Sequence, residues 1–146
     1  MKVRPAVLLL VNDHVLLTRY RYGDQDVFQL PGGNPDSNEL LSATLIRELR
    51  EELNIEIEVG PFLVLGEVHL PQLKQGVLHC VFEGTIIGGI PSINPAETTA
   101  LEVVWKPLRE LAELNLYPNV GAELFELASG LRSSPYLGKI RQEWFG

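Results

Sequence analysis

The chain has a single cysteine, Cys80, so it has no internal disulfide framework. Cys80 lies in the apolar run Val77-Leu78-His79-Cys80-Val81-Phe82, where a buried, inert thiol is expected rather than a nucleophile. Long hydrophobic runs are also missing. The opening MKVRPAVLLLVNDH holds one short apolar run, too short to span a bilayer, and Asp13 and His14 stand where a signal-cleavage site would be. No membrane partner is expected, and a reducing cytoplasm is the expected location. Basic residues are few: 12 Lys and Arg stand against 19 Asp and Glu, for a net charge of −7. Such a chain repels polyanions unless its positive charge is locally concentrated, and only Arg19 and Arg21 cluster. A nucleic-acid polymer is therefore excluded as an expected partner. A small anionic substrate is compatible with this charge if a cation mediates. The three histidines, His14, His69 and His79, have no metal-ligand spacing, and the last two are expected in strands with satisfied ring nitrogens. There is no internal repeat, low-complexity tract or Ser/Gly linker.

What remains is one domain's worth of chain, taken as residues 1–146, with 45% hydrophobic residues and so a core that needs no staples. Val3 to Val11 reads as a strand, Asn12-Asp13 as a turn and His14 to Tyr20 as the second strand of a hairpin. In Arg19-Tyr20-Arg21-Tyr22 the two arginines share one strand face and the tyrosines the other. That pair is either a solvated edge or a contact for substrate phosphate or a partner subunit. Val27 to Leu30 is short and extended, and Pro31 ends it. Glu56 to Leu70 reads as one bent strand or two, broken at Gly60-Pro61, and Val77 to Ile87 as another. After a polar loop from Pro91 to Thr99 come a short strand, Leu101 to Trp105, and a helix with Pro107 in its first turn. A second helix follows Pro118-Asn119, with Leu124, Leu127, Ala128 and Leu131 as its apolar stripe. The tail carries Tyr136, Ile140, Trp144 and Phe145, which suggests docking on its own domain or on a second subunit; together with the arginine strand it favours a homodimer. The order implies an α/β or α+β pattern, a mixed sheet between helices.

The densest chemistry lies between Gly32 and Ile55. Asp36, with Glu39 three residues on, has capping-box spacing for a helix running to Leu53. Leu41, Leu45, Ile46, Leu49 and Leu53 fall on one arc of that helix, facing the core. Glu48, Glu51 and Glu52 share a neighbouring face. Like-charged pairs at such spacings cost about 0.2–0.5 kcal/mol each. They also sit toward the helix C-terminus, the unfavourable end for negative charge. Either the face is solvated and partly neutralised by Arg47 and Arg50, or the carboxylates hold a divalent cation, for which hard oxygen donors suit Mg²⁺ or Mn²⁺. Gly32-Gly33 before the helix lets backbone come close to a ligand.

Gly33 is followed after five residues by Glu39 and after seven more by Arg47-Glu48; then come Leu49, Glu51-Glu52 and Ile55. This spacing resembles the signature of the Nudix hydrolases. Asn54 stands where that signature has a glycine ending the helix, and Asn is the next best residue for a left-handed exit. The resemblance implies a Nudix fold, an α/β/α sandwich. It implies divalent-metal-dependent hydrolysis of a nucleoside diphosphate linked to another moiety, with Mg²⁺ or Mn²⁺ as cofactor and a small-molecule nucleotide as partner. It makes Glu48, Glu51 and Glu52 the expected metal ligands with the Gly33 carbonyl, and Arg47 and Glu39 their supports. The general base is expected to be a glutamate of the box or Glu97 from the later loop; Glu102 could instead pair with a box arginine. Arg19, Arg21, Phe28 and Gly32 are candidate substrate contacts, Phe28 with Tyr20 and Tyr22 as stacking surfaces unless they are core. Pro71, sixteen residues past Ile55, matches a proline that in this family often accompanies ADP-ribose hydrolysis. ADP-ribose or another nucleoside diphosphate sugar is the expected substrate. A nucleoside triphosphate, including an oxidised one, and a non-catalytic nucleotide-sensing module are the alternatives.

Overall fold

The computed structural model describes residues 1–132 and 134–146. The β-branched N-terminal run forms strand β1 (Lys2–Val11), and Asn12 and Asp13, both at positive φ, turn it into β2 (His14–Tyr22). Positive φ at both turn positions matches the right-handed twist of a tight hairpin. The strands pair only near that turn, at Leu10 with Val15 and Val11 with His14. Beyond it they diverge. β2 pairs with β3 (Gln25–Gln29) and β6 (Glu102–Pro107), while β1 runs parallel to β5 (Val77–Gly88). β5 pairs with β4 (Glu56–Val68), which carries β8 (Tyr136–Lys139) on its other side; β7 (Leu116–Tyr117) extends the opposite edge beside β3. The result is one mixed sheet of eight strands, opened like a wedge on the side away from the first hairpin. The stretch that was either one strand or two is a single bent strand, with register shifts between Val59 and Phe62.

Helices cover both faces, as expected of the sandwich. Helix α1 (Leu41–Leu53) packs Leu45, Leu49 and Leu53 against Val7, Leu9, Leu16 and Ile57. Each such leucine, fully buried, contributes about 1.5–3 kcal/mol. On the other face, helix α2 (Gly121–Ala128) and a 3₁₀ turn (Leu108–Glu113) pack Leu108, Leu111 and Leu124 against Ala6, Leu8, Leu17 and Val64. Thus the helix expected at Pro107 is a 3₁₀ turn, and Leu131 lies past α2 and is exposed rather than part of its stripe. Gly121 explains how closely α2 meets that turn: a Cβ there would fall 2.6 Å from the Leu111 carbonyl carbon.

The tail docks on its own chain. β8 pairs with β4, Ile140 is buried, and buried Gln142 accepts from the Asn119 amide and donates to the Leu116 carbonyl. Tyr136 and Trp144 of the tail nevertheless remain exposed. Among the described residues no helix is long and apolar enough to cross a membrane. Cys80 is buried, as expected, and burial pushes its thiol up.

Candidate active site

The wedge is held open by the segment after β3. Val7 donates its backbone amide to the Pro31 carbonyl at 2.9 Å, and Gly33 donates to the Pro5 carbonyl at 3.3 Å, so Pro31 to Gly33 lies along β1 where β2 has left it. Gly32 is needed for that approach. A Cβ there would sit 2.2 Å from the Pro5 oxygen. This gives Gly32 a packing role against β1. At Gly33 a Cβ would fall 2.3 Å from Cδ of Glu48, so the first glutamate of the helix lies against bare backbone. That closeness is what a shared ligand of the Gly33 carbonyl and the Glu48 carboxylate requires.

The start of the helix differs from expectation. Asp36 is not its cap: α1 begins at Leu41, after a turn in which Asn38 has positive φ, and Leu40 occupies the cap position without a side-chain bond. Glu39 instead reaches back to the Asp36 amide at 3.0 Å and accepts from the Thr44 hydroxyl at 2.7 Å. Its main partner is Arg47, whose Nε and Nη2 form a fork on the carboxylate at 2.9 and 3.0 Å. Arg47 first, then the Asp36 amide and Thr44, hold the Glu39 carboxyl down to about 2. Arg47 also donates to Glu48 at 3.0 Å, to Glu51 at 3.3 Å and to the Asn34 carbonyl at 3.1 Å. Glu39 thus fixes the arginine, and the arginine sets two of the three helix carboxylates.

Glu52 is placed otherwise. Among the described residues its carboxylate makes no hydrogen bond. Burial, then the charge of Glu48, push it up to about 7; Glu51 and Glu97 add to this, and Arg4 opposes it. Glu48 is also raised, chiefly by burial, although Arg47 pulls the other way. Two part-buried carboxylates that repel each other on one helix face are what a bound cation would relieve. Among the described residues no three carboxylate, imidazole or thiol side chains already converge as a metal cage. The donor set nonetheless fits a hard cation such as Mg²⁺, which keeps several waters and needs only one or two carboxylates besides substrate phosphate.

The helix exit is as expected of Asn54: φ 58° and ψ 33°, left-handed. Its side chain does more than replace glycine. Nδ2 donates to the carbonyl and the hydroxyl of Ser92, each at 3.1 Å. The loop so tied closes the C-terminus of α1. The Ser92 amide donates to Leu53, and the Asn94 amide and side chain donate to the carbonyls of Glu52 and Glu51, at 3.0, 2.9 and 3.0 Å. Three carbonyls that a helix end leaves without partners are thereby satisfied. Asn94 also receives the amides of Ala96, Glu97 and Thr98. The outcome is a recess of about 410 Å³ lined by Glu52, Glu97, Thr98 and Tyr20. Glu97, the loop candidate for general base, lies beside Glu52.

The arginine strand reads differently in three dimensions. Arg19 and Arg21 do share a face, but Arg19 is held by Glu102 at 2.7 Å and Asp26 at 3.1 Å, and Arg21 by Asp26 at 2.8 Å. Both acids stand across neighbouring strands, Glu102 opposite Arg19 and Asp26 opposite Arg21. Each arginine is thus ion-paired in this arrangement, Arg21 remaining half exposed, and Glu102 pairs with Arg19 rather than with an arginine of the helix. Phe28 is core, packed with Leu17 and Leu30 under Lys106, and offers no stacking face. Tyr20 bonds Thr98 and stacks on Tyr22.

Arg4, unremarked in the sequence, lies near the glutamate helix: its charge acts on both Glu48 and Glu52. It stands opposite His79 in the β1–β5 register and lies 5.8 Å over the Tyr117 ring. Lys2 and Arg4, two residues apart and so on one face of an otherwise apolar strand, were the available signal. His79 is buried in its strand as expected, but among the described residues its ring nitrogens have no partner, contrary to expectation.

A family model described as NUDIX domain matches residues 1–127. No curated protein matches the chain in sequence. Solved structures do match in fold. A UDP-X diphosphatase aligns with 92% of this chain and 66% of its own at 18% identity and a TM-score of 0.72. A MutT protein from Methanosarcina mazei Go1 aligns with 88% of this chain and 94% of its own at 21% identity and a TM-score of 0.71. An ADP-ribose pyrophosphatase from Streptococcus suis 89-1591 aligns with 94% of this chain and 97% of its own at 19% identity and a TM-score of 0.65. At these identities the likeness is one of fold.

Proposed function

The chain belongs to the Nudix family, and from that premise we propose that it is a divalent-metal-dependent pyrophosphohydrolase acting on a nucleoside diphosphate derivative such as ADP-ribose or another nucleoside diphosphate sugar. The observation that carries this reading is the carboxylate pair of α1. Glu48 and Glu52 are part-buried carboxylates of like charge, and the Glu48 carboxylate lies against the bare backbone of Gly33. All three helix glutamates are in place, which sets the protein apart from a module that only senses nucleotides.

Glu48, Glu51 and Glu52, with the Gly33 carbonyl, would hold Mg²⁺ or Mn²⁺. A bound cation of this kind neutralises pyrophosphate charge and lowers the pKa of a coordinated water. The chain's own residues do the rest. Arg47, clamped by Glu39, keeps Glu48 and Glu51 directed at the site. The loop anchored by Asn94 brings Glu97 to Glu52, so two carboxylates stand ready to accept the proton of the attacking water. The water oxygen bonds to phosphorus, the bridging oxygen leaves with the second phosphate, and the products are a nucleoside monophosphate and a second phosphate compound. The fold is compatible with a diphosphate sugar, since an ADP-ribose pyrophosphatase and a UDP-X diphosphatase share it, as does a MutT protein. Pro71, exposed on the loop after β4, favours the diphosphate sugar.

A panel of ADP-ribose, other nucleoside diphosphate sugars and nucleoside triphosphates, assayed for released monophosphate or pyrophosphate, tests this. Release is expected from the diphosphate derivatives with Mg²⁺ and none in EDTA. Release from triphosphates alone would refute the substrate class, and equal release in EDTA would refute the metal.

A further inference from the structure

In so acidic a chain the placement of basic side chains is informative. Arg19, Arg21, Arg47, Arg50 and Arg132 each sit in an ion pair. Lys2, Arg4, Lys74, Lys106, Arg109, Lys139 and Arg141 form none among the described residues, and the first three of these line one recess of about 260 Å³ with Tyr117. Like charges gathered without counter-charge repel, and the gathering is uphill unless something anionic completes it.

Arg4 shows the need most directly. Its Nη1 is buried without a hydrogen-bond partner. A charged donor left so is costlier than a neutral one. The neighbours offer it little. His79 opposite is also buried and unpartnered, and its ring meets Tyr117 edge-on at 5.0 Å. Burial, then the charge of Arg4, push His79 down to about 3, so it adds no positive charge of its own. The carboxylates that feel Arg4, Glu48 and Glu52, make no ion pair with it. Arg4 therefore stands between the glutamate helix and the recess, paired with neither.

We propose that Lys2, Arg4 and Lys74 form an anion subsite that grips a phosphate group of the substrate, with the guanidinium of Arg4 donating to its oxygens. That the phosphate belongs to a nucleotide rests on the pyrophosphohydrolase reading; that the subsite takes a phosphate does not. A guanidinium fork matches phosphate oxygens in geometry and charge, and two flanking ammonium groups add the point charges typical of phosphate sites. The neighbouring recess, of about 160 Å³, shares Tyr117 and is lined also by Tyr22, Trp144 and Phe145. Such an aromatic wall suits a flat ring, so a base and a phosphate carried by one ligand find adjoining places.

The test uses the metal-free full chain in EDTA, titrated calorimetrically with inorganic pyrophosphate, ADP and adenosine. Wild type is expected to bind pyrophosphate and ADP, with affinity falling as salt rises. Arg4→Met, which keeps the buried stem, and the surface pair Lys2→Gln with Lys74→Gln are each expected to weaken both anions about tenfold, the size of one lost charge-assisted contact. Adenosine binding should be unchanged. The surface pair keeps the test valid should Arg4→Met fold poorly. Pyrophosphate that binds both variants as well as wild type overturns the subsite, as does a wild type that binds no pyrophosphate. Adenosine and ADP weakened equally would show Arg4 to be scaffold only, which also overturns it. Failure of the enzymatic reading looks different: no panel nucleotide is hydrolysed, while pyrophosphate binding still depends on the three cations.

Discussion

Replacing Glu52 by glutamine should stabilise the metal-free protein, and only above mid-acid pH. The Glu52 carboxyl is pushed from 4.5 up to about 7, first by burial and then by Glu48. Between those values the folded chain keeps a proton that the unfolded chain has released, so stability falls as pH rises. Below pH 4.5 the group contributes nothing; above about pH 7 the full penalty is present. At about 1.36 kcal/mol per pH unit the ceiling is about 3.4 kcal/mol. Solvent screening of a carboxylate that is only part-buried brings this to about 1–2 kcal/mol. That still exceeds the few tenths expected from helix-face repulsion alone. Urea denaturation in EDTA, followed by tryptophan fluorescence, measures it at pH 5 and pH 8. Glu52→Gln should match wild type near pH 5 and exceed it by about 1–2 kcal/mol at pH 8. A variant less stable at pH 8, or offset equally at both values, would refute the reasoning and make the carboxylate a structural group.

Glu39 works in the opposite sense. Its folded value is lowered to about 2, so its contribution is complete above pH 4.5 and is lost as pH falls toward 2; Glu39→Gln should flatten the acid limb of the stability curve in that window. Gly33→Ala places a Cβ where the Glu48 carboxylate lies, so turnover should fall about 10²-fold with a stability loss of about 1–3 kcal/mol, read by initial rates and urea midpoints. Asn54→Gly keeps the left-handed exit but loses the Ser92 bonds, at about 0.5–1 kcal/mol, whereas Asn54→Ala adds about 1–2 kcal/mol of backbone strain. Melting temperatures should therefore rank wild type, glycine, alanine, and an alanine variant as stable as wild type would contradict the capping role.

Much of the site was legible because its residues are close in the chain. The helix from Leu41 to Leu53 places Leu45, Leu49 and Leu53 inward and the three glutamates beside them, as the helical period requires. The exit at Asn54 follows from the conformations open to asparagine. Its bonds to Ser92 do not, since they depend on where a later loop returns. The cap at Asp36 fails although Glu39 does bond the Asp36 amide, because a turn with Asn38 at positive φ intervenes and the helix begins only at Leu41. Arg19 and Arg21 were placed on the correct face, but their partners are set by strand register, which brings Asp26 and Glu102 opposite them. Arg4 depends on longer connections still. Only the parallel pairing of β1 with β5, and of β7 with β3, brings it over Tyr117 and near the glutamate helix.

The central claim is that the carboxylates of α1 serve a cation-dependent cleavage rather than the fold. The most direct measurement is the Mg²⁺-dependent initial rate of Glu52→Gln beside wild type, on whichever panel nucleotide wild type cleaves, with the folded state checked in the same preparation. A fall of about 10²-fold or more in a protein at least as stable as wild type is predicted. Full Mg²⁺-dependent turnover in that variant would contradict the account.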